Sequence, residues 1–400
     1  MRKVVVGLLT VLLMLAGSQV TGASPQPPSH DFVAWHTLSQ FASGRFESSA
    51  YPNPIGRPSI ALFGQSGAWT SPVVSTGHPV DTINPSWQAD TPSGSHLNIE
   101  LKVRNSGRWS DWYQMGAWAF SDTPSFRRTS TNDQPDEFGS IFTDTYVNTT
   151  SGTVDAYQLR AELVASGNAR PRVFQLAAQV AVGRTFTAVS PTTMTSTIDL
   201  PVPQFSQYTH DGEYPAFGGG GEAWCSPSSV AMVIRYYHTG PSAADIAALP
   251  PDAVFDAHGR VDGEVPFAAL HIFDTAYDGT GNWPFNTAYA AAYGLNTAVR
   301  VFTSLRDIET LIKRGIPVVA SLNWNNTDQN PSNDLPGAGT PSTPGHMLVV
   351  RGVTAQGDVI ANDPATHDGN GDVRRVYPRL PFERQWINAS NGTTYVIAPQ

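Results

Sequence analysis

The chain changes texture near residue 199, and that change limits it to two differently built parts. Up to about residue 187 the apolar residues follow a period of two. The cleanest case is 96–103, where Leu97, Ile99, Leu101 and Val103 share one face. Residues 156–164 and 173–182 read as two further strands, separated by the turn-like Ser166-Gly167-Asn168. Helical periodicity is scarce here, so 30–187 is expected to form an all-β, antiparallel sandwich-like domain. Residues 188–198, rich in Ser, Thr and Pro, carry no periodicity and are expected to act as a linker. From 199 to 400 helical and strand-like segments alternate. Helices are expected over 227–237, 284–293 and 305–314, the last with Ser304 and Asp307 at capping-box spacing and Gly315 as its stop. Residues 316–322, 347–353 and 358–361 read as strands. This second half is expected to be an α+β domain.

Hydrophobic residues make up 40% of the chain and charged residues 14%, enough for packed cores. The net charge of −9 works against a nucleic-acid partner, which calls for clustered Lys and Arg. Arg2 and Lys3 precede an apolar run from Val4 to Ala16, followed by Thr21-Gly22-Ala23. That order is the grammar of a secretory signal, expected over 1–23. The run is about 13 residues against the ~20 a membrane span needs. The mature protein is therefore expected outside the cell, with no membrane span.

In an exported chain cysteines usually come in pairs, as disulfides. This chain has one, Cys225. A lone cysteine is either a small buried apolar residue or a reactive thiol, and its neighbourhood favours the second. Four glycines, 218–221, lead into Glu-Ala-Trp-Cys225-Ser-Pro. Ser226 is read as a helix cap with Pro227 in the first turn, which places Cys225 at a helix N-terminus. The positive end of the helix dipole favours thiolate, and a thiol pKa near 8.5 falls to about 3.5–7.5 in such places.

A thiolate nucleophile needs a base, and the base needs an orienting group. His346 follows Pro344-Gly345 at the start of the strand 347–353. A turn at 355–357 reverses the chain, and the returning strand ends at Asp363. The hairpin brings His346 and Asp363 to one end, about two residues apart in register. An oxyanion needs donors: the backbone N–H of Cys225 is one, and Gln204 and Gln207 compete for the second. His238, His258, His271 and His367 have no thiol-linked context and read as surface or core residues.

These pieces resemble the papain-like cysteine peptidases that process bacteriocin leaders, in particular their stand-alone secreted relatives. The matching segments are Val202-Pro-Gln-Phe-Ser-Gln207, Gly220-Gly-Glu-Ala-Trp-Cys225-Ser-Pro, Gly345-His346-Met-Leu-Val-Val-Arg-Gly and Val359-Ile-Ala-Asn-Asp363-Pro-Ala, with the tail Val373-Arg-Arg-Val-Tyr. The resemblance covers about 200–400 and implies a papain-like fold. It implies Cys225 as nucleophile, His346 as base, Asp363 as orienter and Gln207 as oxyanion donor. Transporter-linked relatives cut after a double glycine. This chain lacks transporter segments and carries Ser-Pro after the cysteine, so that specificity is not carried over.

A peptide or protein substrate is expected, with cell-wall material as a candidate. Cell-wall amide hydrolysis, transglutaminase-type acyl transfer and a non-catalytic surface-binding role are the competing functions. No cofactor and no metal are expected: one cysteine is too few for a zinc cluster, and 218–221 lack the Gly-Lys-Ser/Thr of a phosphate loop. The run 368–372 mimics the start of a calcium loop. It has Val373 where glycine is required and Arg379 where glutamate is required, and reads as a polar turn. Six of the ten tryptophans, Trp35, Trp69, Trp87, Trp109, Trp112 and Trp118, lie in the first domain. They are read as core, with a polymer- or carbohydrate-binding platform as the alternative.

Overall fold

The computed structural model describes residues 30–367 and 369–400; the expected signal, 1–23, lies outside them. Among the described residues no helix is long and apolar enough to cross a membrane.

The alternation in the first half does produce strands. His96–Asn105 and Val154–Val164 pair antiparallel over most of their length, with Leu97 facing Leu163 and Leu101 facing Leu159 in register. Leu97, Ile99, Leu101 and Val103 are all fully buried. The whole half forms twelve antiparallel strands. They are hydrogen-bonded continuously into one sheet. The reason lies in the long strand Ser59–Thr70. Its C-terminal residues 66–70 pair with 160–164, while Ile60 near its start pairs with Val173. Its other edge carries Arg45–Asn53, with a register break between Ser48 and Ala50. A bulge there adds twist, so one strand serves both ends of the sheet.

Trp35, Trp69, Trp87 and Trp118 are buried. Trp109 and Trp112 are half-buried and bracket the Lys102 ammonium at 4.8 and 4.7 Å from their ring centres. Residues 183–197 form no helix or strand but are pinned. The buried Glu309 carboxylate accepts from the Thr192 hydroxyl and from the Thr193 N–H and hydroxyl. It also pairs with Arg379 at 2.7 Å, and Arg379 in turn donates to the Ser190 carbonyl.

Within the second half strands are labelled β1–β7 and long helices α1–α5. They are β1 (Ile198–Asp199), α1 (Cys225–Tyr236), α2 (Glu264–Ile272), α3 (Trp283–Ala291), β2 (Leu295–Val301), α4 (Leu305–Ile312), β3 (Val318–Asn325), β4 (Ser342–Val353), β5 (Val359–Asn362), β6 (Arg374–Tyr377), α5 (Arg379–Ser390) and β7 (Thr393–Pro399). The antiparallel sheet runs β2-β7-β3-β4-β5-β6, with β1 added beside the end of β4. Helix α1 lies between α2 and β4. Its residues 226–234 are all buried, as expected of a helix covered on every side.

Three expectations shift here. Strand β4 begins at Ser342, five residues before 347, because β3 pairs with that extension as far as Ser342. Helix α3 runs from Trp283 to Ala291, capped by Asn282, whose side chain accepts from the Phe285 N–H. Ser226 is not the cap of α1. The cap position belongs to Trp224, which makes no side-chain cap bond. Ser226 is already inside the helix, and its hydroxyl donates to Asn286 of α3 at 2.8 Å.

The two halves share one core. Phe285 of α3 sits against Trp87 (6.0 Å) and Trp118 (5.2 Å) of the first half. Edge-on and tilted aromatic pairs of this kind add about 0.5–1.5 kcal/mol each beyond area burial.

Candidate active site

Helix α1, the start of β4 and the end of β5 meet at one point. The Cys225 side chain is partly exposed at the first residue of α1. His346, 4% exposed, lies within β4, and Asp363, fully buried, follows β5. Val349 pairs with Asn362, so the position opposite Asp363 is Leu348, and His346 is two residues farther along. That offset matches the register expected of the hairpin. His346 Nε2 donates to Asp363 Oδ1 at 2.7 Å, and His346 and Cys225 line the same cleft. With Nε2 engaged by the carboxylate, Nδ1 is the ring nitrogen left for sulfur.

Each group is tuned by its neighbours. Burial pushes the Cys225 thiol up. The hydrogen bond and charge of His346, with the backbone N–H groups of Met347 and Ser226, outweigh this and hold it below the ordinary thiol value. Burial pushes the His346 imidazolium down, but the Asp363 charge and hydrogen bond, then Cys225, raise it well above the ordinary value. Burial likewise pushes Asp363 up. His346 outweighs it, helped by the Tyr377 hydroxyl on Oδ2 at 2.6 Å and the Ala365 N–H on Oδ1 at 2.9 Å, and the carboxyl lies below its usual range. The arrangement favours thiolate, imidazolium and carboxylate together at neutral pH.

The two glutamines separate clearly. Gln204 accepts from the Arg374 N–H at the start of β6 and lies away from the thiol. Gln207 is buried, and its amide donates to the Gly221 carbonyl in the turn that delivers Cys225, although it does not line the cleft. Its backbone N–H donates to Pro364, the residue after Asp363, and the Ser206 hydroxyl donates to Thr366. The Ser-Gln and Asn-Asp-Pro-Ala segments are thus bonded to each other. The turn before Cys225 needs its glycines: Gly220 has φ +66°, and a Cβ there would stand 1.7 Å from the His210 carbonyl oxygen.

Several supporting groups were not foreseen. Tyr377 closes the far side of Asp363. Trp324 packs edge-on against His346 at 5.2 Å. Glu213, buried, accepts from both His210 and His258 beneath the glycine turn. Tyr377 stands in the Arg-Arg-Val-Tyr tail, so a signal was present without a role attached. Trp324 and Glu213 have none, because only the tertiary fold brings them here. His367 is exposed and stacks on Tyr208 at 3.8 Å. In the calcium-like run, Asp368 lies outside the described residues. Asn370 bonds Ser206 and Asp262, and Asp372 bonds Arg375 and Thr366. Among the described residues no group of three or more His, Cys, Asp or Glu is placed to hold a metal.

A cleft of about 510 Å³ opens over Cys225 and His346. Glu222, Tyr277, Asp278, Trp283 and Pro344 form its rim and walls, and among the described residues no Lys or Arg lines it.

The sequence carries the corresponding family marks. Residues 32–181 match the peptidase C39 N-terminal domain, and residues 199–394 match the C39-like peptidase family. The chain belongs to the C39-like family of papain-like cysteine peptidases. No curated protein matches it. Among solved structures, a provisionally assigned C39-like peptidase from Bacillus anthracis is 16% identical over 51% of this chain and 98% of its own, with a TM-score of 0.31. A GH26-CBM35 β-(1,4)-mannanase from Podospora anserina is 14% identical over 44% of this chain and 32% of its own, with a TM-score of 0.21. Scores this low define no shared fold.

Proposed function

We propose that this protein is a thiol peptidase acting outside the cell, with Cys225, His346 and Asp363 as its triad. The observation that carries the reading is the buried His346–Asp363 pair set against the only thiol in the chain, at the positive end of α1. Export rests on the basic, apolar and small-residue order of 1–23.

In this reading the Cys225 thiolate attacks the carbonyl carbon of a peptide bond. The C–N bond breaks as the His346 imidazolium gives its proton to the leaving amine. The resulting thioester is attacked by water, whose proton passes to the now neutral His346, and the thiolate leaves with its electron pair. Asp363 keeps the ring oriented and stabilises its charge throughout. The Cys225 backbone N–H is one oxyanion donor; Gln207, the second donor the family resemblance implies, is bonded to the Gly221 carbonyl outside the cleft lining and holds the turn that delivers Cys225.

The charge state gives a direct test. Iodoacetamide labelling of Cys225 is expected to stay fast below neutral pH and to fall only as pH drops through the depressed thiol pKa. An inflection near the free-thiol value of about 8.5 would show an unactivated cysteine and sink the reading.

The cleft also sets a preference. Glu222 and Asp278 are exposed on its rim, and among the described residues no Lys or Arg lines the cleft beside them. A peptide with Lys or Arg beside the scissile bond is expected to be cleaved about tenfold faster than its Glu counterpart at low salt, and the ratio shrinks as salt screens the rim. Equal rates for the two peptides would remove these carboxylates from the recognition site.

A further inference from the structure

One wall of the cleft comes from the segment 274–283, which joins α2 to α3. Up to Asn282 it contains no helix, yet it is not held by its own half alone. Hydrogen bonds from three residues of the first half, Ser130, Arg128 and Asp144, fix it and the end of α2 that leads into it. The buried Asp274 carboxylate accepts from the Ser130 backbone N–H at 2.8 Å. The buried Arg128 guanidinium donates to the Leu270 carbonyl at 2.6 Å, and the Arg128 carbonyl accepts from the Thr275 N–H at 3.1 Å. The buried Asp144 carboxylate accepts from the Trp283 N–H at 2.5 Å.

The network continues inward. Asp274 accepts from the Asn282 side chain at 2.8 Å, and Asn286 donates to the carbonyls of Asn282 and Thr280. Asn286 also accepts from the Ser226 hydroxyl, beside the nucleophile. The Thr280 hydroxyl donates to the Ala223 carbonyl on the other flank of Cys225. Nearly all of these atoms are buried, where an unmatched donor is costly, so moving the wall would strand buried polar groups of both halves.

We propose that the first half is a working part of the catalytic cleft, with Asp144 a positioning residue for the wall formed by 274–283. Asp144 touches no reacting atom. It closes the N-terminus of α3 through Trp283, whose side chain lines the cleft. Its own carboxylate is held by the Thr145 hydroxyl at 2.9 Å. Burial pushes its carboxyl up to about 7, so near neutrality a neutral isostere that still accepts the Trp283 N–H substitutes well. The kinetic part of this proposal rests on the peptidase reading; the positioning part does not.

The test compares full-length wild type, Asp144→Ala and Asp144→Asn. Peptide hydrolysis, iodoacetamide labelling of Cys225 and hydrogen exchange of the 275–283 amides are measured on each. For Asp144→Ala, KM is expected to rise about tenfold with kcat within about threefold, because the wall meets substrate in ground and transition states alike. Labelling by the small reagent changes less than about twofold, and exchange in 275–283 speeds up by at least about tenfold. Asp144→Asn restores all three to near wild-type values. Unchanged KM and exchange in Asp144→Ala, or no rescue by Asp144→Asn, would overturn the proposal. If Asp144→Ala does not fold, Thr145→Val loosens the same carboxylate, and wild-type KM and exchange in that variant overturn it equally. If the wild type hydrolyses no peptide, the peptidase reading fails, while exchange in 275–283 still decides whether Asp144 positions the wall.

Discussion

Replacing Cys225 with alanine is expected to remove all measurable peptide hydrolysis while leaving the protein folded. Every bond-making step in the proposed cycle passes through its sulfur, and the chain has no second thiol to take over. Removing the nucleophile of such a unit costs on the order of 10⁶ in kcat in a serine peptidase, where the remaining groups save little. Stability should barely move. Alanine is a strong helix former at the first residue of α1, the side chain is partly exposed, and the helix is held by buried residues 226–234. Circular dichroism and thermal melting are expected to match wild type, with a midpoint within a few degrees, since a change of ~1 kcal/mol moves it roughly 2–4 °C in a domain of this size. Mass-spectrometric detection of cleavage products settles the other half. Retention of more than about 1% of wild-type hydrolysis would mean that the cysteine is not the nucleophile.

Much of this site was legible because it is local. The Gly-rich turn, Cys225 and Pro227 adjoin in sequence, and a hairpin of known turn position fixes how His346 meets Asp363. The cap of α1 was misread because Ser226 is a good capping residue by type. Its hydroxyl is drawn instead to Asn286, sixty residues away, a preference that packing of α1 on α3 creates and no local rule contains. The same limit applies to the first half. Alternation exposed the inward faces of 96–105 and 154–164. It did not reveal that Ser59–Thr70 pairs differently at its two ends, since pairing is a property of two strands at once. Likewise, 188–198 has a linker's composition, but the buried Glu309–Arg379 pair that pins it comes from α4 and α5. Gln207 could not be told from Gln204 by spacing; the hydrogen bond to Gly221 is what separates them.

Asp363 offers the sharpest division between charge and orientation. In Asp363→Asn the amide oxygen can still accept from His346 Nε2 and keep Nδ1 toward sulfur, but the negative charge is gone. The imidazolium then loses its main stabiliser, its pKa falls, and the thiolate loses its partner. The acid limb of Cys225 alkylation is expected to move to higher pH, with a loss of about 10–100-fold in kcat/KM at neutral pH. In Asp363→Ala the ring, the Tyr377 hydroxyl and the Ala365 N–H all lose their acceptor inside the fold. Orientation goes with charge, and the expected loss is about 10³ or more, with a stability cost of about 3–5 kcal/mol for the stranded charge. The pH profile of stability separates the variants further. Asp363 lies below its ordinary value when folded, so its contribution is present above the unfolded carboxylate pKa and is lost as pH falls through the folded one. His346 lies above its ordinary value, so its contribution is present below the unfolded imidazole pKa and is lost as pH rises through the folded one. Both terms are whole between roughly pH 4 and 6.5, from the unfolded carboxylate and imidazole values. The stability gap between wild type and Asp363→Asn, read from urea unfolding, is therefore expected to be widest in that window and to narrow on both sides. A gap that does not narrow below about pH 4 or above about pH 6.5, together with near-wild-type kcat/KM in Asp363→Ala, would reduce the carboxylate to a packing group and leave His346 without an orienter.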